Sequence, residues 1–180
     1  MFNLFKKKDP GIRIIDKIVM TQSAKWNALI DQWRKNNDTV FVFWFDETMR
    51  QAETFFLKEN ITAINFYLAK TIQLSQLKGK EIIFTEHYPL PQKEKELFEG
   101  LQLGEVQIWS AMDEPLFKEF GSEKIIQMMK QLGMKEDQVI EHNMIGKAIH
   151  NSQEKISKKV ILDQMSSSQE EWMRKNWTNS

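Results

Sequence analysis

An α/β sheet flanked by helices is the fold this sequence predicts, because short β-branched and aromatic runs alternate with amphipathic helical stretches as far as Trp109. The clearest strand is Val40-Phe41-Val42-Phe43-Trp44-Phe45, whose continuous apolar run suits a central position buried on both faces of a parallel sheet. Trp44 is expected in the core. Further strands are predicted at Ala63 to Leu68, at Glu81 to Thr85 after the turn at Lys78-Gly79-Lys80, and at Val106 to Trp109. Polar Gln107 between Val106 and Ile108 predicts a half-covered strand near the sheet edge.

The helices follow from period and punctuation. Trp26, Leu29, Ile30 and Trp33 recur with helical spacing, so a helix is predicted from Ser23 to about Asn36, with Thr21 or Ser23 near its N-cap. Met49, Ala52, Phe55 and Phe56 repeat helically from Glu47 to Asn60, with Asp46 as N-cap. Pro91 opens a helix running to about Leu101, since proline is tolerated in a first turn. Asp113 is expected to cap a short helix carrying Leu116, Phe117 and Phe120, which Gly121 ends. Ser122 to Leu132 closes at Gly133, and a last helix begins near Gln138 with the stripe Ile145, Ile149, Ile156 and Val160. Ser166-Ser167-Ser168 marks a break before Trp172, Met173 and Trp177. No internal repeat is present. The predicted organisation is a leading segment over 1–12, an α/β lobe over 13–121, a helical extension over 122–165 and a polar tail over 166–180.

Composition narrows the function. The chain has 180 residues, 41% hydrophobic and 28% charged, which suits one globular domain and excludes a two-lobed ATPase. Its 25 basic and 25 acidic residues cancel, so no global field favours nucleic acid, which is not expected as a partner. Cysteine is absent, removing disulfides, thiolate nucleophiles and Cys-based zinc sites. Phe2, Leu4 and Phe5 precede Lys6-Lys7-Lys8, the reverse of a signal peptide, so cytoplasmic localisation is expected, with at most peripheral membrane contact.

The segment from Ser110 through Asp113, Glu114, Leu116, Phe120, Gly121, Ser122 and Ile125 resembles the preprotein translocase ATPase SecA, in which an S-x-E-D-x-L-x-x-x-F-G-S-x-R-[IV]-like stretch ends the second nucleotide-binding lobe. The likeness continues through Met129, Leu132-Gly133-Met134, Glu141-His142 and Lys147-Ala148-Ile149 to Asn151, Gln153 and Lys155, similar to the family's run into its helical scaffold. Upstream, Val19-Met20-Thr21 with Ala24-Lys25-Trp26-Asn27-Ala28, the run Val40 to Glu47, and Gly79 to Glu86 are similar to that lobe's opening helix, first strand and G-x-x-[VI]-[IL]-G-T-E strand. The resemblance covers roughly residues 16 to 160, with a deletion between Leu68 and Leu77. It implies a RecA-like, P-loop-NTPase-like lobe with a mostly parallel sheet and a helical C-terminal extension.

The departures fall on the family's chemistry. Its G-R-G-T-D and Q-x-x-G-R-x-G-R-Q-G-D motifs supply guanidinium groups to the phosphates, and this sequence contains no Gly-Arg pair. The only arginines are Arg13, Arg34, Arg50 and Arg174. Lys93 and Lys95 lie near the second motif's place beside Glu94, Glu96 and Glu99, but lysine is a point charge without arginine's fork. No G-x-x-x-x-G-K-[ST] loop occurs among the seven glycines.

Other chemistry is weaker. His150 and Glu154, at i and i+4, with His87, His142 and Glu141 elsewhere, complete no metal motif, and a solvated helix face is expected. Thr85-Glu86-His87 sits where α/β sites form, but the resemblance makes it a retained strand end. Neither catalytic residue nor cofactor is expected. The function expected is a non-catalytic SecA-like module that binds protein, SecA itself or another translocase component. Trp172, Met173 and Trp177 are candidate contacts, either offered to the partner or folded back onto the body. The alternatives are a subunit completing an ATP site in trans with a P-loop partner and a homo-oligomer built through the C-terminal helix.

Overall fold

The computed structural model describes residues 11–177, so Phe2, Leu4, Phe5 and the three lysines considered for membrane contact lie outside the described residues. Within them a five-stranded sheet has the order β1-β5-β4-β2-β3, every pair parallel. The strands are β1 (Arg13–Val19), β2 (Val40–Phe43), β3 (Asn65–Leu68), β4 (Ile82–Phe84) and β5 (Glu105–Ala111). The helices are α1 (Gln22–Lys35), α2 (Asp46–Lys58), α3 (Leu74–Leu77), α4 (Pro91–Gly100), α5 (Pro115–Lys118), α6 (Ser122–Gln131), α7 (Asn143–Ser157) and α8 (Gln169–Asn176).

Burial explains the arrangement. All of β2 is buried, and alternate residues serve opposite layers. Phe41 and Phe43 join Trp26, Leu29 and Ile30 of α1 and Ala52 and Phe56 of α2 on one face. On the other, Val40 and Val42 meet Leu77 of α3 and Phe98 of α4. Neighbouring β2 and β4 therefore run into helices on opposite faces, which opens a crevice beyond their C-terminal ends, where α/β sheets characteristically hold ligands.

Several expectations need correction. β1 was not predicted, because charges at Arg13, Asp16 and Lys17 interrupt its apolar pattern. It occupies the sheet edge, so β5 lies between β1 and β4 and Gln107 reaches Glu81 at 3.4 Å. Asp46 is the first residue of α2 rather than its cap, and pairs with Lys70 at 2.7 Å. Asp113 does not cap α5; its Oδ2 accepts Gln22 N at the start of α1. Helix α7 starts at Asn143 because Ile140 forms an antiparallel bridge with Ile18. Trp44 is only half-buried, packed against Phe84 and Tyr88. The expected polar tail contains α8, capped by Ser168 Oγ on Glu171 N at 3.0 Å.

Candidate functional site at the strand ends

A buried polar network fills the crevice. Lys25 of α1 is completely buried, donating to Thr85 O at 2.7 Å and to Glu114, with its ammonium 4.4 Å from the Trp26 ring centre. Glu114 Oε1 also accepts Ala111 N at 2.9 Å. Burial raises the Glu114 carboxyl above its ordinary range, against the pull of Lys25. Glu86 stands at the end of β4, with Oε1 accepting Trp44 N and Phe45 N at 3.1 Å and Oε2 accepting Thr48 Oγ1 at 2.8 Å. Burial pushes its carboxyl up to about 7, opposed by Lys25 and assisted by the charge of Glu114. A carboxylate thus takes the amides at the start of α2, which elsewhere would serve an anion.

His87 continues the network towards α7. Its Nδ1 and Nε2 lie 2.9 Å from Glu94 and Asp16. Burial alone would lower its pKa, but the two carboxylates outweigh it and raise the value to about 10. A carboxylate facing each nitrogen favours the doubly protonated ring. Glu94 also accepts Tyr88 N at 2.7 Å and Gln153 Nε2 at 3.0 Å, tying α7 to the sheet. Beside this clamp, a groove of about 1050 Å³ runs between β1, α4 and α7.

The C-terminal segment closes the crevice. Ser167 O accepts Glu47 N at 3.0 Å, and the Gln169 side chain bridges Leu116 N at 2.9 Å and His87 O at 3.0 Å. Trp172 is fully buried against Phe45, Leu116 and Ile156, with Nε1 donating to Asp163 at 2.7 Å. Met173 joins the same cluster, while Trp177 is half-buried, 6.3 Å from the Phe120 ring and bonded to Glu119. These three side chains fold back onto the body. What remains at the crevice is a polar cavity of about 200 Å³ whose lining includes Glu47, Glu86, Asp113, Glu114, Lys118 and Glu170.

The other predicted residues lie apart. Lys93 and Lys95 are exposed on α4, Lys95 is 3.8 Å from Glu99, and neither lines this cavity. His142 Nδ1 accepts Met144 N as a cap of α7, and His150 lies 4.0 Å from Glu154 on an exposed face. No group of three or more metal-ligating side chains is assembled among the described residues. Lys25 was missed as a buried charge, although it precedes Leu29 by four positions and so shares the apolar face of α1.

No family model matches the chain. Individual relatives do: SecA of Acidithiobacillus ferrooxidans is 40% identical over 53 residues, covering 29% of this chain. SecA of Wigglesworthia glossinidia brevipalpis is 34% identical over 112 residues, or 57% of the chain, and that of Syntrophus aciditrophicus is 31% identical over 88 residues, or 47%. Part of this chain is SecA-like. The match spans only 6% to 14% of the lengths of these relatives. The parallel sheet with flanking and C-terminal helices agrees with the RecA-like lobe that a SecA-like segment implies. Among the described residues no helix is long and apolar enough to cross a membrane.

Proposed function

We propose that this chain is a SecA-like protein-binding lobe of the preprotein translocation system that does not hydrolyse ATP. The observation that carries the reading is the occupation of the strand-end crevice by the chain's own groups: Glu86 takes Trp44 N and Phe45 N, and the C-terminal segment takes Glu47 N and Leu116 N. A phosphate brought there would meet carboxylates, and no arginine is among the residues lining the cavity. Arg13 pairs with Glu105, and Arg34 with Asp31 and Glu59, away from this cavity. Likeness to SecA over part of the chain, together with this self-occupied crevice, supports recognition of protein over nucleotide chemistry.

The test has two parts. Tagged full-length chain is incubated in native lysate with and without Mg-ATP, and co-purifying proteins are identified; a translocase component recovered equally in both is the expected result. Purified chain is then assayed for phosphate release. Turnover above buffer background that disappears in Glu86→Gln would overturn the non-catalytic reading, and recovery of no translocase component would overturn the assignment to this system.

A further inference from the structure

The outer edge of β1 is paired at one end and open at the other. Arg13 N donates to Gly104 O and Val19 O accepts Met112 N, so the odd-numbered residues of this strand turn their backbone groups towards β5. The even-numbered ones face outward. Ile18 uses that outward edge for a two-way bridge with Ile140, at 2.9 and 2.8 Å, and Met20 N reaches Glu136 O at 3.3 Å. Ahead of Ile18 the edge is bare: no described residue bonds the backbone N–H or C=O of Ile14 or Asp16. Edge strands are ordinarily covered or blunted, because such a row is a template for another strand. This one is open at Ile14, which is 45% exposed, and it walls the groove of about 1050 Å³ beside α4 and α7. Six consecutive residues, Gly11 to Asp16, line that groove. Alternate residues would mark a sheet face, whereas an unbroken run places the strand's edge, with its backbone, in the wall.

We propose that this groove takes an extended segment of a protein partner, which adds to the five-stranded sheet as a further strand paired with Ile14 and Asp16 of β1. The proposal rests on the protein-binding reading above and gives its mode. Unpaired amides and carbonyls along a strand select main chain, and the side chains around them add preference for sequence. Six extended residues span about 20 Å, and the groove stands at the upper limit of the roughly 300–1,000 Å³ of small-ligand pockets. A peptide strand therefore suits it better than a small molecule. Ile12 and Ile14 give the wall apolar surface while Gln92, Lys147 and His150 line it with polar groups, which fits a strand of alternating apolar and polar side chains. The buried acids of the groove need no ligand, because Asp16 and Glu94 are already held by His87. Helices α4 and α7 form the other walls, so a lone strand enters where the sheet of a second copy, flanked by its own α4 and α7, does not.

Amide hydrogen exchange in the ¹⁵N-labelled full chain tests the edge first. Ile15 N faces β5 and should be protected, whereas Ile14 N should exchange faster by about tenfold or more. Protection of Ile14 that grows with protein concentration would give the edge to a second copy, and protection independent of concentration would give it to another segment of this chain; either overturns the proposal. The peptide acetyl-Lys-Thr-Val-Thr-Val-Thr-Lys-amide is then titrated. Saturable shifts over residues 11–16 and along α4 and α7, with new protection of Ile14 N, are expected, and their absence overturns the groove. Two isomers of the peptide, N-methylated at alternate positions of opposite parity, separate main-chain pairing from side-chain contact. One should keep the affinity and the other lose it about tenfold, as for loss of two hydrogen bonds; equal behaviour overturns strand addition. Ile14→Pro removes the outward N–H and no bond to β5, so it should weaken peptide binding by the same factor while the urea midpoint holds. Peptide affinity unchanged in a folded Ile14→Pro chain overturns the proposal, and the isomers decide the matter by themselves where that variant fails to fold. Capture of a translocase component equally by wild type and Ile14→Pro removes the groove and leaves the protein-binding reading standing. Peptide binding by a chain that captures no translocase component supports strand addition and removes the assignment to translocation.

Discussion

Lys25 and His87 are the residues on which the strand ends depend. Both are buried among acidic partners, Lys25 on the Glu114 carboxylate and the Thr85 carbonyl and His87 between Asp16 and Glu94, and truncation of one partner leaves charge stranded in a low-dielectric site. Lys25→Met should destabilise the fold by about 3–5 kcal/mol, whereas Lys25→Met with Glu114→Gln should recover part of that loss; urea unfolding of the double-mutant cycle reads the difference. His87 makes a prediction in pH. Its folded pKa of about 10 exceeds the ordinary 6.5, so the stability it contributes is complete below 6.5 and is lost as pH rises through 10. The stability difference between wild type and His87→Gln should therefore shrink steadily from pH 6.5 to pH 10. A difference that stays constant would show that the ring is neutral. Glu86 carries the opposite sign for a carboxyl: its raised pKa means that its contribution falls as pH climbs from 4.5 towards 7.

At the scale of elements, α7 is held close to β1 by a glycine. A Cβ built on Gly146 would stand 2.5 Å from Asp16 Oδ2, an atom whose carboxylate is fixed by His87 and cannot swing away freely. Gly146→Ala should gain about 1 kcal/mol of helix propensity yet lose more through displacement of α7. Faster amide exchange in α7, with α1 and α2 unchanged, is the expected signature. The sequence makes the helical stripe of α7 legible through Ile145, Ile149 and Ile156, but not the demand for glycine, which arises only where β1 meets the helix. β1 itself escaped notice because a strand at an edge tolerates Asp16 and Lys17, and the alternation that would reveal it is broken. By contrast β2, uniformly apolar, is legible in isolation.

Across the whole molecule, the C-terminal segment acts as part of the domain. Trp172 packs on Phe45 from the end of β2, Leu116 from α5 and Ile156 from α7, joining elements that the sheet alone would leave separate. Trp172→Ala should cost about 3–5 kcal/mol, and unfolding should remain a single transition, because the cavity opens inside a shared cluster. A separate early melting of the C-terminal segment in calorimetry would count against this integration.

The sequence by itself determined the helices and strands other than β1, α3 and α8, the class of the fold and the SecA-like character of its segments, because period, capping and turn chemistry are written in neighbouring side chains. It also shows that the chain has four arginines and no Gly-Arg pair. Only the tertiary structure decided the strand order, the burial of Trp172 and the pairing of Lys25 with Glu114 and of His87 with Asp16. Those pairs join positions 89 and 71 residues apart. A charge placed on a helix looks the same in sequence whether it meets water or a buried partner, and it is the packing of distant elements that chooses between them.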